Sequence, residues 1–314
     1  MKRIVFIGDS FTEAVGIKYE DSFVGVLDGK ISDKYEVINM GLSSYAPSAF
    51  YKKLEYWIEN GLVIDQVIVM LDHSDIEDEI FHYRDNQEII VKRKSLSLRP
   101  IAVNNIVPLE NKSSILRDII NEYQYIKDSE WIEQFDVNSQ LLNYSSWIMS
   151  KLTYSYIIRK IKYLLYFKIG QENDLKVKEK IKYRPENNVR GLYLIDKNIY
   201  YKRGAKTGLL KMAYKMDQIK KLLDKNNIQM KIGIYPWPSE LLYAKNNSLW
   251  QKFWNRYSKL SRIEIIDTYP AIVNYSESAE TTIRDLYIPG DYHFNVKGHK
   301  RIGNSIFENI KNSL

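Results

Sequence analysis

The chain has 314 residues, enough for one α/β domain carrying an insertion without requiring a second independent domain. Apolar residues at 45% and charged residues at 27% are those of an ordinary folded protein and exclude wholesale disorder, a collagen-like repeat and a coiled coil. The absence of cysteine excludes disulfides, thiolate-bound zinc, iron–sulfur clusters and a cysteine nucleophile, and a formal charge of +7 is far from a nucleic-acid signature.

Met1-Lys2-Arg3 runs through Ile4-Val5-Phe6-Ile7 into Gly8-Asp9-Ser10. That apolar run is too short for the core of a signal peptide, so Arg3 to Ile7 is predicted to be a strand. Further β-branched, apolar runs ending in turn residues predict strands at Tyr35 to Ile38, Gln66 to Leu71, Gln229 to Tyr235 and Ile263 to Ile266. Helix-length patterns fall between them, at Ala49 to Asn60 after Pro47, at Gly208 to Asn226 and at Lys297 to Lys311. Strands alternating with helices predict a three-layer α/β/α sandwich around a central parallel sheet. No stretch reaches the roughly eighteen uninterrupted apolar residues of a spanning helix, so a bacterial-type cytoplasmic location is the expectation.

Between the third and fourth strands the rhythm breaks. Residues 85–201 are rich in Tyr, Lys and Asn, with long helical patterns at Ser113 to Lys127 and Leu141 to Ile169. They are expected to form a mostly helical insertion into a core made of residues 1–84 and 202–314. From Lys151 to Arg184, ten basic residues face three acidic ones, an excess equal to the formal charge of the whole chain. A solvated face with lysine stems over apolar surface explains this, and an anionic surface is the alternative. Ile157, Ile158, Ile161, Leu164 and Leu165 cover much of that helix, so no single basic face offers itself to a membrane.

Four loops are predicted just past the carboxyl ends of strands, where open parallel sheets place function. Gly8-Asp9-Ser10 puts a hydroxyl where a strand hands over to a helix, near backbone N–H groups able to stabilise an anion; the same turn also reads as a helix cap. Asn39-Met40-Gly41 brings a glycine that either exposes a backbone N–H or only makes a turn. Residues 72–79 hold five carboxylates in eight positions but lack the glycine and alternating oxygen ligands of a calcium loop, so an acidic helix start accounts for them without a metal. Asp291-Tyr292-His293 places a histidine two residues after an aspartate, as a base oriented by a carboxylate or as a surface hydrogen-bonder. His299 reads as structural, and His73 and His82 have no evident nucleophile partner.

Together, in this order and at these ends of the chain, the four blocks resemble the SGNH (GDSL-type) hydrolase family, over residues 1 to about 80 and 229–314. The Gly-x-Ser-x-Gly elbow of the α/β-hydrolases is absent. The resemblance implies a flavodoxin-like core, no cofactor, Ser10 as nucleophile, His293 as general base and Asp291 as its orienting carboxylate. It further implies an oxyanion hole from the N–H groups of Ser10 and Gly41 and a side-chain donor from the third block. That block departs from the family's Gly-x-Asn-Asp, since Asp72, His73, Ser74 and Asp75 stand there and Ser74 takes the place of the asparagine. The single residue between Asp291 and His293 is similar to a variant among polysaccharide-acylation relatives.

The implied chemistry is acyl transfer through Ser10. Asp9, Tyr45, Asp75, Tyr235, Trp237 and Tyr292 are expected to line the substrate site. The aromatics among them, with Gly233-Ile234-Tyr235-Pro236-Trp237-Pro238 ending the fourth strand, either stack on a sugar or wall in the loops. The leading expectation is a serine esterase removing a small O-acyl group, O-acetyl first of all, from a carbohydrate or surface-glycan precursor. An O-acyltransferase on the same triad, a lipid esterase docked by the basic insertion and a glycan-binding protein with a decayed site are the alternatives. The acidic core loops argue against a nucleic-acid partner.

Overall fold

The computed structural model describes residues 1–81, 83–86, 89–92, 205–243, 248–289 and 291–313. Five strands, β1 (Lys2–Ile7), β2 (Tyr35–Asn39), β3 (Gln66–Leu71), β6 (Gln229–Ile234) and β7 (Glu264–Asp267), form one sheet in the order β2-β1-β3-β6-β7. Every neighbouring pair in it is parallel. β4 (Tyr83–Asn86) and β5 (Ile89–Lys92) form a separate antiparallel pair.

The helices are α1 (Ser10–Glu13), α2 (Phe23–Ile31), α3 (Pro47–Glu59), α4 (Ser74–Phe81), α5 (Ala205–Lys225), α6 (Pro238–Tyr243), α7 (Leu249–Ser261), α8 (Tyr269–Val273), α9 (Ala279–Leu286) and α10 (Val296–Ile310). Alternate residues of each strand feed two separate cores, as the twofold side-chain period requires. Val5, Ile7, Val67, Val69 and Ile232 pack with Phe50 and Leu54 of α3, Met212 and Met216 of α5 and Trp254 of α7. Ile4, Phe6, Ile68 and Met70 pack on the opposite face with Phe23 and Leu27 of α2, Ile283 of α9 and Ile302 and Ile306 of α10. Every residue of β3 is buried, which is why its sequence is an unbroken apolar run after Gln66. Each fully buried Val, Ile or Leu contributes about 1.5–3 kcal/mol of transfer free energy to this arrangement.

The predicted α/β class and parallel sheet are therefore the observed ones, with strand and helix ends moving by three residues at most. α3 begins at Pro47 rather than Ala49, because proline at the first helical position loses no hydrogen bond. At the start of the expected insertion Ile89–Lys92 is a strand, its Ile-Ile-Val run favouring extended backbone. The remaining calls on residues 93–204, including the helical patterns at 113–127 and 141–169 and the basic stretch 151–184, lie outside the described residues, as does His82. Among the described residues no helix is long and apolar enough to cross a membrane.

Strand order reverses between β1 and β3, the switch point at which loops leaving the carboxyl ends of an open parallel sheet diverge. The turn after β1 carries Ser10, and the loop after β3 carries Asp72 to Asp75.

Candidate active site

α1 is a single turn. Asp9 caps it, its Oδ1 accepting the N–H of Phe11 at 3.0 Å, and Ala14 ends it in the left-handed region at φ 58°. The turn is seated tightly on the sheet, since a Cβ at Gly8 would lie 2.2 Å from Thr12 Oγ1 and 3.0 Å from the carbonyl of Met70. Ser10 thus occupies the first helical position, where its own N–H has no acceptor within the helix.

The histidine arrives from the other end of the chain. An antiparallel bridge between Tyr287 and Phe294 closes a short loop, within which Ile288 N–H donates to the His293 carbonyl at 2.9 Å. Asn295 then caps α10 with its side-chain oxygen, accepting the Gly298 N–H at 3.0 Å, and ties the loop down by donating to the Asp285 and Tyr287 carbonyls. Phe11, next to Ser10 in α1, packs on the imidazole, with ring centroids 4.6 Å apart.

His293 Nε2 lies 2.7 Å from Ser10 Oγ, and His293 Nδ1 lies 2.8 Å from Asp291 Oδ1. An ionised carboxylate accepts only, so Nδ1 carries the proton toward Asp291 and Nε2 is left to accept from the serine. Burial works to raise the Asp291 carboxyl, but the hydrogen bond and charge of His293 and the backbone N–H groups of His293 and Tyr292 outweigh it and hold it below its ordinary value. The one-residue spacing is what lets Asp291 Oδ1 receive the N–H groups of Tyr292 (2.6 Å) and His293 (3.2 Å) along with the imidazole.

Behind the serine lies a buried acidic cluster. Asp9, Asp72 and Asp75 are each 1% exposed or less. Burial first, and then the charge of Asp72, push Asp9 well above the usual carboxylate range; burial and then the charges of Asp9 and Asp72 do the same to Asp75. Asp75 Oδ1 has no hydrogen-bond partner among the described residues, a position a neutral carboxyl tolerates better than an ion. Ser10 Oγ is 3.3 Å from Asp9 Oδ2, a longer contact than the one to His293, so the single hydroxyl proton goes to the imidazole.

The expected oxyanion hole needs correction at two of its three positions. The Gly41 N–H donates to Asn39 Oδ1 at 2.9 Å, while Asn39 Nδ2 donates to the Thr12 carbonyl at 2.7 Å. Gly41 is a glycine because it packs on the flank of α1, where a Cβ would fall 2.3 Å from Glu13 N. The Ser74 hydroxyl donates to Asp72 Oδ1 at 2.5 Å and lies 3.4 Å from Asp9 Oδ2, so it is spent inside the acidic cluster.

The substrate-lining expectation is corrected too. Tyr235 and Trp237 are fully buried, and neither can stack on a sugar. Tyr235 packs on Phe11 and Phe294, while the Trp237 indole N–H donates to Asp72 Oδ2 at 2.6 Å. Asp9 and Asp75 are likewise too deep to touch substrate. Tyr292 and Tyr45 remain half-buried. Tyr292 stacks on Trp237 with centroids 4.5 Å apart and planes 11° apart, beside the imidazole of His293.

Sequence reasoning gave His73 no role, and its place is behind this stack. Fully buried, it lies flat against Trp237 and within 2.9 Å of Glu240 Oε2, an oxygen that also accepts from Tyr269 OH at 2.7 Å and Trp237 N–H at 3.1 Å. His299 is structural, as expected: it is buried against Phe23 and accepts that residue's N–H at 3.3 Å. Sequence reasoning also missed Glu13 and the cap that Asn39 places on Gly41. An asparagine two residues before a glycine is a signal for such a turn, whereas nothing local marks Glu13. Among the described residues, no group of three or more His, Asp or Glu side chains is arranged to hold a metal ion.

No protein-family model matches the chain, and no curated protein matches it. Among solved structures, the chain is similar to a member of the lipolytic G-D-S-L family from Veillonella parvula, with 10% identity, 98% of this chain and 97% of that one covered, and a TM-score of 0.47. It is similar to a psychrotrophic esterase from Pseudoalteromonas at 12% identity, covering 100% of this chain and 98% of that one, with a TM-score of 0.46. A carbohydrate acetylesterase family member from Sinorhizobium meliloti is similar at 9% identity, with 99% and 98% covered and a TM-score of 0.43.

Proposed function

We propose that this chain is an SGNH-type serine ester hydrolase that releases a small O-acyl group, acetyl first of all, from a carbohydrate ester. The observation that carries the reading is the unbroken relay Ser10 Oγ, His293 Nε2, His293 Nδ1, Asp291 Oδ1, with links of 2.7 and 2.8 Å, assembled from residues 283 positions apart. In the first half-reaction His293 Nε2 takes the hydroxyl proton as Ser10 Oγ attacks the ester carbonyl. The Ser10 N–H faces the developing oxyanion, and the imidazolium, held by Asp291, returns its proton to the departing sugar alkoxide. Water then gives its proton to His293 and attacks the acyl-serine, and collapse expels the carboxylic acid and restores Ser10. An acceptor hydroxyl in place of water in the second step turns the same relay into a transferase.

The commitment of the Gly41 N–H and the Ser74 hydroxyl favours a second reading, a glycan-binding protein whose hole has decayed. Each absent donor costs on the order of a hundredfold to a thousandfold in rate. Reaction with a fluorophosphonate probe, together with hydrolysis of 4-nitrophenyl acetate, separates the two. The hydrolase labels at Ser10 and turns over the ester, with both activities lost in Ser10→Ala and His293→Ala while the fold is kept. A folded wild type inert to both reagents, or a Ser10→Ala protein as active as wild type, overturns the hydrolase reading.

A further inference from the structure

Residues 39–45 form a loop beside the nucleophile turn, and their backbone is tied down almost group by group. Met40 N–H donates to the Phe6 carbonyl at 2.7 Å, Leu42 N–H to the Gly8 carbonyl at 3.0 Å and Tyr45 N–H to the Leu42 carbonyl at 3.0 Å. These bonds, with that from Gly41 to Asn39, fasten the loop to β1, to Gly8 just past it, or to itself, while the Asn39 amide ties the loop's start to the Thr12 carbonyl of α1. Ser43 is fastened to the end of α1. Its N–H donates to Glu13 Oε2 at 2.6 Å, and its hydroxyl donates to the same oxygen.

Glu13 is the last residue of α1, one helical turn from Ser10. Lys53 of α3 donates its ammonium to the Met40 carbonyl at 3.0 Å. The loop therefore contacts an acid at the end of α1 and a cation on α3. Immediately after the Glu13 contact, Ser44 takes the left-handed backbone at φ 62°, a conformation that costs a non-glycine residue about 1 kcal/mol and persists where its surroundings enforce it.

We propose that Glu13 is a positioning residue for acyl transfer: its carboxylate, through the double contact with Ser43, sets the 39–45 loop against the turn that carries Ser10. This rests on the hydrolase reading above. Glu13 is solvent-exposed, so its hydrogen bonds add little to global stability, yet they fix the wall beside the nucleophile. A misplacement of about 1 Å at a reacting centre is enough to cost on the order of a hundredfold in rate. The signature of such a residue is a large loss of kcat beside a small change in stability.

The test is 4-nitrophenyl acetate kinetics, fluorophosphonate labelling rate and urea unfolding on wild type, Glu13→Ala, Glu13→Gln and Ser43→Ala. In Glu13→Ala, kcat and the labelling rate should fall about tenfold to a hundredfold, with KM within about twofold of wild type and unfolding nearly unchanged. The glutamine amide oxygen can accept both Ser43 bonds, so Glu13→Gln should recover to within about threefold of wild type. Ser43→Ala, which keeps the N–H contact and loses the hydroxyl contact, should fall between them, and it carries the test if Glu13→Ala does not fold. A kcat for Glu13→Ala within about twofold of wild type, or a loss that only tracks the folded fraction, overturns the inference while leaving the hydrolase reading in place. A wild type that fails to label at Ser10 overturns that reading, and this inference with it.

Discussion

His299 makes the stability of the C-terminal half of the site depend on pH in a way that can be isolated. Its ring is 1% exposed, stacks on Phe23 with centroids 5.5 Å apart, and accepts the Phe23 N–H through Nδ1. Burial first, and then the nearby charge of His293, hold its pKa down to about 3, against 6.5 for a free imidazole. The folded value lies below the unfolded one, so the unfolded chain binds the proton more readily. The stabilisation is complete above about pH 6.5 and drains away as pH falls toward 3. At pH 5, about 1.5 units below the unfolded value, the loss is about 2 kcal/mol, because each unit is worth about 1.4 kcal/mol. The assay is urea unfolding at pH 7.5 and pH 5.0 for wild type and His299→Gln. Glutamine accepts the Phe23 N–H without titrating. Asp291, held below its ordinary value, gives up its own contribution only at lower pH, and Asp9 and Asp75, raised by burial, act with the opposite sign. All three are common to both proteins, so they cancel in the difference. The wild type should lose about 2 kcal/mol more than the variant between the two pH values. Equal losses would mean that the imidazole is as easily protonated folded as unfolded, and would refute the reasoning.

Two further outcomes follow from single contacts. Trp237→Phe removes the indole N–H that donates to Asp72 at 2.6 Å and leaves a buried acceptor short of a partner. Urea unfolding should report a loss of about 1–3 kcal/mol, and a change below about 0.5 kcal/mol would contradict the assignment. Gly41→Ala drives a methyl to 2.3 Å from Glu13 N and 2.5 Å from Thr12 C. Its thermal midpoint should fall by the equivalent of about 1–3 kcal/mol, together with slower phosphonate labelling at Ser10, and a variant indistinguishable from wild type on both readouts would show that the flank of α1 has room.

The five strands of the parallel sheet were legible because each is an apolar, β-branched run bounded by turn residues, and an all-buried strand such as β3 can be written only in apolar letters after its first residue. The meeting of Ser10, His293 and Asp291 was expected only through the resemblance of their motifs; spacing alone left them with bland readings as cap or surface hydrogen-bonder. The aromatic residues after β6 were misread for a physical reason. Whether Trp237 faces solvent depends on finding a partner for its indole N–H, and that partner, Asp72, lies 165 residues away in sequence. Ser74 was misread likewise. A hydroxyl that replaces an amide is expected to reach outward until the acidic residues around it are seen to be close enough to capture its proton. Gly41 carried its own correction in Asn39, two residues before it.

The distance along the chain between the two halves of the relay has a consequence for how the protein comes into being. During synthesis Ser10 emerges 283 residues before His293, on a turn that can form as soon as the first strand and helix are made. The contact with His293 forms only when the closing loop folds back and α10 docks onto α2. On the proposed reading, the relay is complete only once that helix has docked.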